Sequence, residues 1–482
     1  MAKRICIWGR AFGIDRIVDT CLEAGVEVLA VLDNDPAKHG SWEFGLETVH
    51  PDRLPDYAPD YVLVVSHSFE AISDQAAKLG YPTDRLLSYH RRTHESMERI
   101  GAQYCVYHDT YSMDASGELE VHRHKHAVTG KVGGEVPSPV PFDRQRELAA
   151  RLLEAFARAR RDARDVPPAF QVGANWEGVL RQSRCSLYDA VEVGDVEQLA
   201  GLLGNYFRNC LSDSILGGEK AYRSFLSSRH DTWLQHNLEV WMALVDGQAS
   251  IRDAGLPPIG NPYGYLVDGA VINWNSFVNH GRAHRCLKLL ADSPAPVVAE
   301  IGGGFGGFAY NLLKQAPGVT YLDFDLPENL IIASYTLGMA FPDRRILLYD
   351  SQEQDLSPET LKNFDVILMP NFMLPKLRDE SVDLLVNTIS FSEMEYATIQ
   401  EYFLQAGRVS SQYVYHENLS CHPPYKGYPT AVFPRMPGFR ELICGFSAWQ
   451  GFDAYTKGHS YLERLLVRRD ESRVTDPVRA SA

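Results

Sequence analysis

Apolar and polar positions along the chain fall into four successive regimes. Near the N terminus, short apolar runs alternate with helix-length amphipathic stretches: RICIWG (Arg4–Gly9), a helical pattern over Phe12–Ala24, EVLAVLDND (Glu27–Asp35) and YVLVVS (Tyr61–Ser66). Unbroken apolar runs joined by helices predict buried parallel strands with crossover connections, so residues 1–95 are expected to form one α/β domain. Over residues 96–140 the pattern turns to a β-hairpin, YCVYHDTYSM and LEVHRHKHAV around DASGE, followed by the Gly/Pro-rich linker GKVGGEVPSPVP. Helical spacing dominates 141–290, clearest in RQRELAARLLEAFARARRDARD, where Leu148, Leu152, Leu153 and Phe156 share one face. The loop LPPIGNPYGY interrupts this region. Strand and helix alternate again over 291–470, and 471–482 reads as a frayed tail.

Composition narrows the class. A chain of 482 residues with 45% hydrophobic content is long enough for several cores. No apolar stretch reaches the roughly 20 residues of a membrane span, and MAKRICIWGR runs directly into a strand, so a cytoplasmic protein without a membrane span is expected. The 8 cysteines contain no C-x-x-C pair, which argues against a disulfide frame or a zinc site. A net charge of −15 argues against a nucleic-acid partner.

Two glycine clusters follow predicted strands. GRAFG places Gly9 and Gly13 between the first strand and helix, and Asp33 closes the second strand, where an acid can bond a ribose hydroxyl; these three are candidate substrate contacts. The alternative for the two glycines is a tight turn. The second cluster, VVAEIGGGFGGFAYNLL at 297–313, satisfies both G-x-G-x-x-G through Gly302, Gly304 and Gly307 and E-x-G-x-G-x-G through Glu300, Gly302, Gly304 and Gly306. Asp325 ends the next strand, 25 positions beyond Glu300, where it can accept both hydroxyls of an adenosyl ribose. Glu300 separates the two cofactors: an acid before the loop repels a pyrophosphate, whereas the ammonium and sulfonium of S-adenosylmethionine (SAM) favour negative charge nearby. SAM, with S-adenosylhomocysteine (SAH) as product, is therefore the expected cofactor.

AEIGGGFGGFAYNLL, YLDFDLPENLIIASYTL and VDLLVNTISFSEME together resemble a bacterial sugar O-methyltransferase family of class I SAM-dependent enzymes, over about residues 260–470. IWGRAFG…GVEVLAVLDNDPAKHG resembles the small N-terminal domains of bacterial sugar acetyltransferases that recognise nucleotide-sugars. The fold implied is α/β: a class I methyltransferase Rossmann-like sheet at the C-terminal end, a second Rossmann-like domain at the N-terminal end, and a hairpin and helical cap between them. The resemblance implies that Glu300, Gly302, Gly304 and Gly306 line the methionine and ribose, that Asp325 bonds the ribose, and that the segment Asn387–Glu393 borders the methyl group. Two further strand-like runs, RRILLYD and FDVILMPNFML, leave either Asp350 or Asn371 to face the adenine.

Methyl transfer to a sugar hydroxyl needs in-line positioning and a group that takes the hydroxyl proton. His416, expected to end a strand Gln412–Tyr415 at the acceptor edge, and Glu393 are the catalytic candidates; His280, Glu395 and Glu417 are further substrate candidates. His280 and Arg282 are alternatives for the SAM carboxylate. A divalent metal that acidifies the hydroxyl is an alternative that no motif calls for. HRHKH (His122–His126) holds metal-capable side chains, but alternation along a strand is expected to divide them between two faces. The expected partner is a small-molecule sugar or glycoside, nucleotide-linked or free, and a homo-oligomer is compatible with the sequence. The competing readings are an NAD(P)-dependent nucleotide-sugar oxidoreductase or epimerase, for which no Tyr-x-x-x-Lys follows NTISFSEM, and a non-catalytic binding protein of the methyltransferase fold.

Overall fold

The computed structural model describes residues 2–9, 14–43, 45–90, 93–227, 232–247, 249–420, 428–449 and 461–469. The chain divides into two compact units, one of residues 1–134, 223–256 and 263–277, the other of residues 135–222, 257–262 and 278–482. The helical middle, expected as one segment, is thus shared between them.

The first unit opens with a six-stranded sheet: β1 (Arg4–Trp8), β2 (Glu27–Leu32), β3 (Trp42–Glu43), β4 (Leu46–Val49), β5 (Tyr61–Val64) and β6 (Leu86–Ser88), in the order β3-β4-β2-β1-β5-β6. All pairs are parallel except β3 with β4. Every residue of β1 after Arg4 is buried, as a strand covered on both faces requires. Cys6, Trp8, Leu32, Val62 and Val64 pack with Ile72 and Ala76 of the helix Phe69–Lys78. β1 is flanked by β2 on one side and β5 on the other, so its C-terminal end lies at a topological switch point.

The same unit holds an antiparallel sheet of β7 (Cys105–Met113), β8 (Leu119–Val132), β9 (Gly264–Val267) and β10 (Ala270–Ile272), ordered β10-β9-β8-β7. Here the histidine expectation needs correcting. His122, His124 and His126 sit at every second position of β8 and so share one face; it is Arg123 and Lys125 that take the other. Each pairs diagonally with β7: His126 with His108 at 2.8 Å, His124 with Thr110 at 2.8 Å and His122 with Ser112 at 2.8 Å. Asp268 bonds His126 at 2.7 Å. Among the described residues, no group of three or more His, Cys, Asp or Glu is arranged to hold a metal ion.

The second unit is built on eight strands: β11 (Val297–Ile301), β12 (Thr320–Asp325), β13 (Ile346–Leu348), β14 (Val366–Pro370), β15 (Val382–Thr388), β16 (Ser410–Leu419), β17 (Phe439–Phe446) and β18 (Tyr461–Arg468). Their order is β13-β14-β12-β11-β15-β16-β18-β17. The sheet is parallel from β13 to β16 and closes with two antiparallel strands. One face packs on the helices Gly307–Gln315 and Pro327–Ala340 through Phe308, Leu312 and Leu337. The other packs on the helix Tyr396–Val409 through Ile399, Phe403 and Ala406. The helix Phe142–Asp162 buries Leu152 and Phe156 but leaves Leu148 and Leu153 half-exposed. Among the described residues no helix is long and apolar enough to cross a membrane. The molecule is a mixed α/β protein with two Rossmann-like parallel sheets.

Candidate active site

The glycine loop leaves β11 between β12 and β15, again at the switch point of a doubly wound sheet. Gly302, Gly304 and Gly306 have φ of +81°, +61° and +81°, a region that side chains with a Cβ avoid. A Cβ on Gly302 would stand 2.6 Å from Ser390 Oγ, and one on Gly303 would run into the Asp323 carboxylate. The loop therefore lies flat against two neighbouring strand ends. Gly306 caps the helix that follows.

The loop's amides are directed at carboxylates. Gly303 N–H donates to Asp323 Oδ1 at 3.1 Å and Gly304 N–H donates to Asp325 Oδ2 at 2.9 Å. Asp325 Oδ1 also accepts from Leu326 N at 2.6 Å and Asn329 Nδ2 at 3.2 Å. Glu300, on the same face, accepts from the Tyr321 hydroxyl at 2.6 Å. Burial raises all three acids, Glu300 to about 8 and Asp325 to about 6, and the charge of Asp325 pushes further on Glu300 and Asp323. Asp323 is absent from the sequence-based set. Its position two residues before Asp325, on the same strand face, is the signal that could have found it.

The segment after β15 forms the opposite wall. Ile389 takes φ +74° and ψ −45°, a conformation close to a γ-turn that a β-branched residue rarely adopts, and it swings the turn Ser390–Glu393 back toward the glycine loop. Glu393 is half-buried. Its Oε2 accepts from Trp176 Nε1 at 3.1 Å and its backbone carbonyl accepts from Asn175 Nδ2 at 2.9 Å. Burial raises its pKa to about 7, the Trp176 bond works the other way, and the charge of Asp325 adds to the rise. Glu395 is exposed and precedes the helix Tyr396–Val409 without a side-chain cap bond.

Several other candidates lie elsewhere than expected. β16 continues three residues past His416, which pairs in register with Asn387 on one side and Arg464 on the other. Its imidazole sits among the rings of Phe391, Phe403 and Phe433, with centroids 5.8 to 6.2 Å away. Burial, with Arg464 adding, lowers its pKa to about 3. This is a neutral core histidine and not one on an open edge. Glu417 points to the opposite face, where Arg282 Nε and Ser447 Oγ donate to it at 2.9 and 2.6 Å. Burial works against its charge, but Arg282 overrides this and holds the carboxyl below its ordinary range. That pairing also commits Arg282, which the sequence offered to the SAM carboxylate. His280 is buried in the helix Trp274–Leu289, and its carbonyl accepts from Gln315 at 3.4 Å.

Asn387 is fully buried. It bonds Ile301 O at 2.9 Å, Ser390 Oγ at 2.6 Å and Asn418 Nδ2 at 2.9 Å, and so ties β11, β15 and β16 together. Asp350 is exposed and paired with Arg158 at 2.6 Å, beyond the outermost strand β13. Asn371 follows β14, the direct neighbour of the strand that carries Asp325. Its Nδ2 donates to Phe170 O at 2.9 Å and Tyr402 OH at 3.0 Å, and its buried Oδ1 has no partner among the described residues.

In the first unit, Gly9 directly follows β1 with φ +103°, and a Cβ there would stand 3.2 Å from Ser66 Cβ. Asp33 is buried and bonds Lys38 Nζ at 2.9 Å and Asp35 N at 2.9 Å. Gly13 lies outside the described residues.

Comparison with known proteins adds the following. Residues 1–87 match the family described as C2185-like, N-terminal. No curated protein matches the chain. Solved structures similar to it include magnesium protoporphyrin IX methyltransferase from Synechocystis PCC 6803 with bound SAM, at 14% identity and TM-score 0.27 over 41% of this chain and 85% of that one. A SAM-dependent methyltransferase from Aquifex aeolicus matches at 13% identity and TM-score 0.25 over 38% of this chain and 89% of that one. UDP-D-quinovosamine 4-dehydrogenase from Vibrio fischeri matches at 19% identity and TM-score 0.17 over 25% of this chain and 94% of that one. At such TM-scores these similarities decide nothing about the chemistry, which rests on the residues above.

Proposed function

We propose that the second unit is a class I SAM-dependent methyltransferase that transfers a methyl group to a sugar hydroxyl. The observation that carries the cofactor reading is the use of the loop's amides: those of Gly303 and Gly304 already bond Asp323 and Asp325, with Glu300 beside them. A loop that binds pyrophosphate must turn its N–H groups to the ligand. Here the loop is surrounded by acids, which suits a cationic cofactor and opposes NAD. Asp325 keeps lone pairs for the ribose hydroxyls, and the Asn371 Oδ1 is an acceptor suited to the adenine amino group.

SAM supplies a methyl group on a sulfonium, whose sulfur takes the C–S electron pair as SAH forms. The chain has to align the acceptor oxygen and receive its proton. Glu393 fits that task better than His416: it lies on the turn that faces the glycine loop, and a base with a pKa near 7 is well matched to neutral pH. The sugar as acceptor rests on the resemblance carried by AEIGGGFGGFAYNLL, YLDFDLPENLIIASYTL and NTISFSEM. A nucleotide handle on that sugar is assigned to the C-terminal end of β1, with Gly9 at the switch point and Asp33 bonded to Lys38 at the end of β2.

Calorimetric titration tests the cofactor. SAM and SAH should bind and NAD should not, and Asp325→Ala should weaken SAM by ~1–3 kcal/mol through lost charge-assisted hydrogen bonds. Tight NAD binding that survives Gly304→Val would reject the assignment.

A further inference from the structure

We propose that Trp176 is a positioning residue for the base of the reaction proposed above, with the helix Ala174–Ser183 fixing which oxygen of Glu393 receives the proton. The helix reaches Glu393 at two points. Trp176 Nε1–H donates to Oε2 at 3.1 Å, and the neighbouring Asn175 side chain donates to the Glu393 backbone carbonyl at 2.9 Å. One bond sets the carboxylate and the other sets the turn that carries it. Among the described residues nothing bonds Oε1, so the carboxylate is held by one oxygen and open at the other. An indole N–H can donate but not accept, so Trp176 binds the ionised carboxylate and gains nothing from a proton on Oε2. The proton is therefore directed to Oε1.

Trp176 and Asn175 lie 217 and 218 residues before Glu393, and no local motif links them. Apart from this helix, the charged group that bears on Glu393 is Asp325 of β12, whose repulsion opposes ionisation. The indole and the acid thus pull the Glu393 equilibrium in opposite directions. Trp176 is itself half-buried.

The test needs no acceptor. In protein labelled with 13C at the glutamate side-chain carboxyl, the resonance missing from Glu393→Gln belongs to Glu393, and its midpoint is expected near pH 7. In Trp176→Phe, with SAH binding heat as a check on folding, the midpoint should move upward, because the ionised form loses its donor. In the wild type, the 15N–H signal of the Trp176 indole should titrate with the same midpoint. An unchanged Glu393 midpoint in Trp176→Phe, or an indole signal indifferent to it, would overturn the proposal. Retention of full methyl transfer by Glu393→Gln is a separate result: it sinks the base assignment and leaves the measured coupling standing.

Discussion

Ile389 and Glu393 show how much of this site is decided by single residues. A β-branched side chain at φ +74° stores on the order of 1–3 kcal/mol, tolerated where the surroundings over-determine the turn. Ile389→Gly should relieve that strain and leave thermal stability equal or higher, while the looser turn lowers kcat; unaltered kcat would make the strain incidental. At Glu393 the rate should rise with pH through about 7 as the carboxylate forms, and Glu393→Gln should lower kcat ~10²–10⁴-fold with SAM affinity intact. His416 gives the opposite pattern. Enclosed by Phe391, Phe403 and Phe433, it stays neutral down to about pH 3, so His416→Ala should cost stability through a cavity and leave the rate per folded molecule nearly unchanged. A denaturation curve unmoved by His416→Ala, together with a collapsed kcat, would restore the histidine as base.

At the scale of elements, what was legible followed from periodicity. The expected strand ends at Asp325 and near Asn387 stand within a residue or so of the observed ones, because apolar runs and turn glycines bracket them. The expected strand Gln412–Tyr415 lies inside β16, but its continuation through residues 416–419 was not legible, because Glu417 is satisfied by Arg282, and Asn418 by Asn387, partners far away in sequence. In HRHKH the period of two acts on each residue, so the three histidines fall on one face and Arg123 and Lys125 on the other. Sequence pattern shows which polar residues end a strand but not which of them a distant partner takes up, as Arg282 does Glu417. The Arg282–Glu417 pair is buried on both sides, so Glu417→Gln should cost ~3–5 kcal/mol by stranding the guanidinium. The acids of the glycine loop give a pH signature. Their folded pKa values are raised above the ordinary carboxylate range, so the folded state binds these protons more tightly than the unfolded chain, and stability falls as pH rises from about 4 to about 8. A cationic cofactor needs them ionised. SAM affinity should therefore strengthen as they ionise between about pH 6 and pH 8, and isothermal titration at those two values in two buffers should reveal proton release on binding.

For the whole molecule, the division into two units predicts that ligands act locally. A ligand that binds only the folded state adds about 2.7 kcal/mol at a hundredfold excess over its Kd. SAH should place that gain on the second unit, slowing amide exchange in β11, β12 and β15, whose ends carry the glycine loop, Asp325 and the turn to Glu393. The β1, β2 and β5 amides should be indifferent to SAH, since their switch point is a separate one. A nucleoside diphosphate should do the reverse: protect β1, β2 and β5 near Gly9 and Asp33, and leave β11, β12 and β15 unchanged. Gly9→Val should abolish that protection, because its Cβ would crowd Ser66 in a backbone conformation that valine resists. Hydrogen exchange read by mass spectrometry resolves both patterns in one protein. Equal gains in both sheets with either ligand would mean that the units open as one, and no gain in β1, β2 or β5 with any nucleoside diphosphate would remove the nucleotide handle from the first unit while leaving the cofactor site of the second untouched.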